Sequence, residues 1–359
     1  MELLKKLYEI HSMSGREKKL KRFVRKWIAE NVPTAKMSND SSGNIYVVKG
    51  ESETYPVVVA HLDQVQNDHS RDFQALQAGD IILGYSAKSR AQQGLGADDK
   101  NGIWVALKCL EKYDNIKIAL FVSEEVGCVG SGGADMGFFS DARFVLQCDR
   151  RGAHDLITEC GWTKICGSDF VEAIYPSKFG YKEATGLMTD VLMLKERGLD
   201  VSAVNISCGY YQPHTDEEIT VIPDLMNCLA FVEYIIENCT DVYHHEYNYY
   251  AAAAYYGKNS YLYNDDDDDF MNGNTWVNSD DDGTEGEIVD ENDYDLIAEI
   301  YDNIVEFLCQ YPSCSKDGVA WYLERKYPDK VIKDSTLTTL YDLAKYYIHE
   351  QGMGTAGDA

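Results

Sequence analysis

Histidines and acids recur in this sequence directly after short apolar runs, a placement that suits them to hold a divalent cation. VVVAHLD sets His61 and Asp63 two residues apart, on the same side of an extended chain. GLGADDKNG sets Asp98 and Asp99 just ahead of a helical stretch. ALFVSEEVG leads into Glu124 and Glu125, FVLQCD ends on Asp149, and His214 follows in GYYQPHTDEE. Two imidazoles and several carboxylates without a thiolate make a nitrogen and oxygen donor set, suited to zinc, manganese or cobalt. Each motif alone has a plainer reading: a capping pair for HxD, a solvated helix start for EE, a turn for DDK. Their shared position after apolar runs joins them into one site.

The elements that must carry these residues show two textures. Residues 44–48, 57–60, 116–122, 144–147 and 201–207 read as strands, and the later ones are too continuously apolar to have a wet face. Helical stretches at 101–113, 185–197 and 223–239 alternate with them. Ahead of these, Leu4, Leu7, Tyr8 and Ile10 keep helical spacing. Ser14 with Glu17 predicts a capping box that starts a basic helix running to about Glu30. The pattern is that of an α/β fold with a mixed, mostly parallel central sheet and helices on both faces. Polar clusters at the carboxyl ends of such strands converge on one crevice, where ligands bind in open sheets of this kind.

Composition narrows the partners. The 359 residues carry 33 Lys+Arg against 60 Asp+Glu, a net charge of −27. A field of this sign repels phosphate backbones and anionic lipid, so neither a nucleic acid nor a membrane is expected as partner. About half of the excess lies in one stretch, from Asp265 to Asp269 through Asp280 to Asp282 and on to Asp295. That stretch follows a tyrosine-rich one, and together 243–293 read as a linker. The expected organisation is a catalytic domain over 1–242, this linker, and a small all-α unit over 294–352, where apolar helical spacing returns. The 10 cysteines are scattered with no CxxC pair, which fits reduced thiols. No window approaches 18 apolar residues and the first thirty residues lack the apolar stretch of a signal peptide, so a cytoplasmic location is expected.

In their order and positions these motifs, with the opening HSMSGRE, resemble the co-catalytic di-zinc exopeptidases that include peptidase T, carboxypeptidase G, aminoacylase and the compact zinc aminopeptidases. The resemblance covers roughly residues 1–240. It implies a zinc exopeptidase-like, phosphorylase/hydrolase-type core holding two Zn2+, with Co2+ or Mn2+ as alternatives. It places His61, Asp98 and Asp149 on one ion and Asp98, Glu125 and His214 on the other, Asp98 bridging. Glu124 is implied as the general base, Asp63 as the partner that orients His61, and the Asp98–Asp99 peptide as cis. Arg150, Thr189, Asp190, Tyr210 and Tyr211 are the implied substrate contacts. The intervals from His61 to Asp98 and from Asp149 to His214 are too short for the extra domain that such enzymes carry, so a lidless core is expected. Without lid residues to bind a substrate carboxylate, an aminopeptidase acting on small peptides is favoured. An N-acyl amino acid amidohydrolase or a carboxypeptidase with the same site is the alternative. The rival from another class is a non-catalytic protein whose helical C-terminal unit binds a protein partner.

Overall fold

The segment Tyr55–His61 reads YPVVVAH and is buried at every position. Such a run suits a strand covered on both faces, and it is one here. The computed structural model places it at the centre of a large sheet and describes residues 1–160, 163–247, 287–288, 294–310, 316–327 and 330–351. The chain divides into two units, Met1–Ala252 and Ala253–Ala359.

In the first unit the strands are β1 (Lys36–Asn39), β2 (Ile45–Lys49), β3 (Tyr55–His61), β4 (Phe73–Ala78), β5 (Ile81–Ser86), β6 (Ala91–Gln93) and β7 (Ile116–Phe121). They continue with β8 (Ala142–Arg150), β9 (Asp155–Cys160), β10 (Thr163–Lys164), β11 (Lys182–Gly186), β12 (Ala203–Ser207), β13 (Tyr210–Tyr211) and β14 (Ile219–Val221). The main sheet has the order β1, β2, β7, β3, β8, β12, β9, β10, with β11 beside β9. Its centre, β7, β3, β8 and β12, is parallel, while β2 on one side and β9 on the other are antiparallel to it.

Alternation along β3 divides the interior in two. Val58 and Ala60 join one core cluster, together with Ile118, Leu120 and Leu146, whereas Val57 and Val59 join the other, with Phe121, Val145 and Ala203. Helices cover both faces: α1 (Glu2–Tyr8), α2 (Lys18–Asn31), α3 (Ala97–Lys112), α4 (Val129–Gly132), α5 (Ser168–Ile174), α6 (Asp190–Glu196) and α7 (Ile222–Asn238). In α7, Pro223 sits in the first turn, where its missing N–H costs nothing. Leu225, Cys228, Leu229, Phe231, Val232, Ile235 and Ile236 form its buried stripe. Each large apolar side chain buried in this way stabilises the fold by about 1.5 to 3 kcal/mol.

Three local expectations are corrected. Ser14 and Glu17 make no capping box: Glu17 is itself the N-cap of α2 without a side-chain bond, and both side chains turn to the site described below. The helix expected over 185–197 begins only at Asp190, because its first residues pair with β9 as β11. The interval from His61 to Asp98 supplies β4, β5 and β6, which form a second sheet with β13 and β14 in the order β13, β14, β5, β4. No strand was expected there. This second sheet connects the segment before Asp98 to the segment around His214.

The second unit has helices α8 (Tyr294–Gln310), α9 (Lys316–Lys326) and α10 (Asp334–Gln351) around Ile300, Ile304, Leu308, Val319, Leu323, Leu337, Leu340 and Ala344. A short parallel pair, β15 (Glu287–Ile288) with β16 (Lys330–Val331), accompanies them. Apart from 243–247 and 287–288, the expected linker lies outside the described residues. Among the described residues, no helix is long and apolar enough to cross a membrane.

Candidate metal centre

The site is built where β3, β7 and β8 end and α3 begins. His61 is the last residue of β3, Asp149 lies next to the end of β8, and Glu124 and Glu125 follow β7. Asp98 stands in the first turn of α3, after Gly96, which takes a left-handed φ of 65° and whose missing Cβ leaves room for the Gln64 amide. The Asp98–Asp99 peptide is cis, as the resemblance implies. Ser123 and Cys128 are also left-handed, both at φ 54°, and frame the loop that carries the glutamates.

These segments bring two sets of donors together, His61 with Asp98 and Asp149, and Asp98 with Glu125 and His214. Within each set the donor atoms all lie within 4.8 Å of one another. Asp98 faces both sets with different oxygens. Its Oδ1 is 3.0 Å from His61 Nε2 and its Oδ2 is 3.4 Å from His214 Nε2. Asp149 Oδ1 is 3.4 Å from His61 Nε2, and Glu125 Oε2 is 3.2 Å from His214 Nε2. Glu124 Oε2 stands 3.9 Å from His61 Nε2, outside either set.

Buried hydrogen bonds hold the donors. His61 Nδ1 donates to the Asp63 carbonyl at 3.1 Å, so the Nε2 lone pair points at the carboxylates and calls for a cation or a proton between them. The Asp63 carboxylate stands further off, with Oδ1 at 3.5 Å from Nδ1. Its nearer partners are the Glu124 N–H at 2.9 Å, the Glu125 N–H at 3.1 Å and the Ser14 hydroxyl at 2.7 Å. Asp63 therefore fixes the glutamate loop as well as facing the imidazole. Glu17 Oε1 accepts from the Ser123 N–H at 3.3 Å and extends this support. Asp99 accepts from the His61 N–H with Oδ2 and from the Gly102 N–H with Oδ1, tying β3 to α3. Where the β8–β12 register shifts, Asn205 accepts from the Asp149 N–H at 2.9 Å and donates to the Asp149 carbonyl at 3.1 Å. Gln147 Nε2 donates to Asp149 Oδ2 at 3.0 Å.

The electrostatics match a site that needs cations. Burial alone would lower the pKa of His61, but Asp149, Asp63 and Asp98 outweigh it and raise it well above its ordinary value. His214 is likewise raised against burial, to about 12, by Glu125 and Asp98. Burial raises Glu124, Glu125 and Asp149, and neighbouring acids push them further up. Glu125 Oε1 is buried with no hydrogen-bond partner among the described residues. An N/O donor set with like charges packed this closely fits divalent cations.

The residues named as substrate contacts have these partners in the fold. Thr189 is buried, donates to Gln147 Oε1 at 2.7 Å and accepts from Asn205, so it belongs to the frame behind Asp149. Asp190 is fully buried; its Oδ2 accepts from Gln147, while its Oδ1 has no hydrogen-bond partner among the described residues. Arg150 pairs with Asp155 at 3.2 Å. Tyr210 packs in the core, and the hydroxyl of Tyr211 donates to Asp224 at 2.7 Å on α7. Gln147 and Asn205 went unnoticed in the sequence, although a lone amide inside an apolar strand was the available signal.

No family model matches the chain, and no curated protein matches it in sequence. Solved structures do match. Aminopeptidase PepT from Bacillus cereus superposes with a TM-score of 0.52 at 13% identity, over 66% of this chain and 97% of that one. A tripeptidase from Staphylococcus aureus gives 0.52 at 13% identity, over 66% and 96%. An aminopeptidase from the archaeon Desulfurococcus kamchatkensis gives 0.52 at 19% identity, over 66% and 94%. The chain has the fold of these peptidases.

Proposed function

We propose that the chain is a metal-dependent hydrolase that removes the N-terminal residue from small peptides. In this reading His61, Asp98 and Asp149 hold one zinc ion, Asp98, Glu125 and His214 hold the other, and Glu124 is the general base. The supporting observation is the division of labour among the carboxylates: Asp98 turns one oxygen to each donor set, while Glu124 lies beside His61 and belongs to neither. When bound, two such ions supply Lewis acidity and lower the pKa of a shared water towards about 7. Glu124 takes the proton of the attacking water and returns it to the leaving amine nitrogen as the C–N bond breaks. Asp63 keeps Glu124 in place through its backbone N–H. The surplus of buried acids, Asp190 among them, favours a cationic N-terminal amine over a substrate carboxylate.

The test is metal analysis of the purified protein followed by assay against dipeptides and acetylated amino acids. Two ions per chain with cleavage of free-amine peptides are expected. Cleavage confined to acetylated amino acids would favour the amidohydrolase, and a chain without bound metal or turnover would refute the reading. Glu124→Gln is expected to retain both ions and lose turnover by about 10² to 10⁴ or more. Near-unchanged hydrolysis by that variant would remove Glu124 from its role.

A further inference from the structure

The five metal donors differ in what holds them. His61 and Asp149 lie on strands of the main sheet, His61 within the β3–β7 ladder and Asp149 held by the Asn205 amide on β12. Glu125 hangs from Asp63. His214 has no such support. It lies in a turn with a left-handed φ of 64°, close to Gln212 at φ 55°, and its side chain is 30% exposed. The chain becomes regular again only at β14, five residues on.

Glu218, directly before β14, is fully buried. Its Oε2 accepts from the Gly96 N–H at 2.6 Å and its Oε1 from the Asp98 N–H at 3.1 Å. Asp216, on the same turn, accepts from the Gly94 N–H at 3.0 Å. The N–H groups of Gly94, Gly96 and Asp98, alternate residues of the segment leading into the site, therefore all donate to carboxylates of the His214 turn. Gln66 Nε2 donates to Glu218 Oε2 at 3.2 Å, and Gln64 Nε2 donates to Gln66 Oε1 at 2.8 Å, with Lys100 donating to Gln64. The chain of bonds returns to the loop after His61.

We propose that Glu218 is a positioning residue that fixes the distance between Asp98 and His214 and so governs the second donor set selectively. The inference rests on the metal-binding reading above. The first set takes two of its three donors from strands, whereas the second depends on the clamp for both Asp98 and His214. Glu218→Gln keeps the size of the side chain but puts an NH2 against a backbone N–H, which opens one side of the clamp.

The experiment strips the full chain with chelator and titrates it with zinc chloride by calorimetry, for the unmodified protein and for Glu218→Gln. The first equivalent is expected to bind as in the unmodified chain, and the second to weaken by about 10- to 100-fold. Equal weakening of both equivalents would make Glu218 a general support of the fold and overturn the proposal, as would two unchanged affinities. Should Glu218→Gln not fold, Asp216→Ala, at an exposed position, is expected to weaken the second equivalent alone, and an unchanged second equivalent overturns the proposal. If the unmodified chain takes up fewer than two zinc ions, the metal-binding reading itself fails, independently of Glu218.

Discussion

Replacing Asp63 by Asn tests whether this carboxylate positions the glutamate loop. The side chain is fully buried and accepts from the Glu124 N–H on Oδ1 and from the Glu125 N–H and the Ser14 hydroxyl on Oδ2. Asn keeps one acceptor oxygen and puts an NH2 in place of the other. Whichever way the amide turns, one buried N–H of the loop then faces a donor. A hydrogen bond to a charged acceptor contributes about 1.5 to 3 kcal/mol, so urea unfolding of the metal-free chain should show a loss of that size. Zinc affinity should fall by about 10- to 100-fold through the loosened His61 and Glu125, and turnover should fall further because Glu124 moves as well. Burial would raise the pKa of Asp63, but His61, Ser14 and the Glu124 N–H outweigh it and hold it below its ordinary value. The charge-dependent part of the difference between the two proteins is therefore full above about pH 4 and fades as the pH falls through the lowered native value. A variant with unfolding unchanged within about 0.5 kcal/mol and unaltered zinc affinity would refute this reasoning.

Because the carboxylates around them raise both imidazoles, protons compete with metal, and zinc affinity should fall as the pH drops. Zinc binding in weakly buffered solution near pH 7 should release protons, and release of none would contradict the described electrostatics. In Gly102→Ala, the new Cβ would come within 2.3 Å of Asp99 Oδ1, displacing the carboxylate that accepts from the His61 N–H. A loss of about 1 to 3 kcal/mol in thermal or urea unfolding is expected, and an unchanged midpoint would show that Asp99 has room to move. Removal of residues 257–359 should leave hydrolysis by the first unit intact, as judged by turnover on a dipeptide. Unfolding of the shortened chain would place the boundary elsewhere.

The central sheet was legible because its strands announce themselves: VVVA and IALFV admit no wet face. The meeting of these histidines and acids was legible for the related reason that charge at the end of such a run needs a purpose. The second sheet was not, since β4 and β5 are short, mostly polar or exposed on one side, and take their order from pairing with β14, more than a hundred residues away. Ser14 and Glu17 misled for a physical reason. A hydroxyl and a carboxylate three residues apart can cap a helix, but here Asp63 and Ser123 offer them long-range partners. Tyr210 and Tyr211 were named for their nearness to His214 in sequence; alternation in β13 sends one ring into the core and the other to Asp224. Glu218 could not be singled out among its acidic neighbours, because only the fold reveals which backbone N–H groups it meets.

The donors are also ordered along the chain. Every member of the first set lies before Arg150, whereas the second set stays incomplete until His214 and the clamp that follows it have been made. A nascent chain emerging from the ribosome therefore offers a complete set of donors for one ion before it offers those for the other. In the proposed reading the exposed histidine is the last of the donors to arrive.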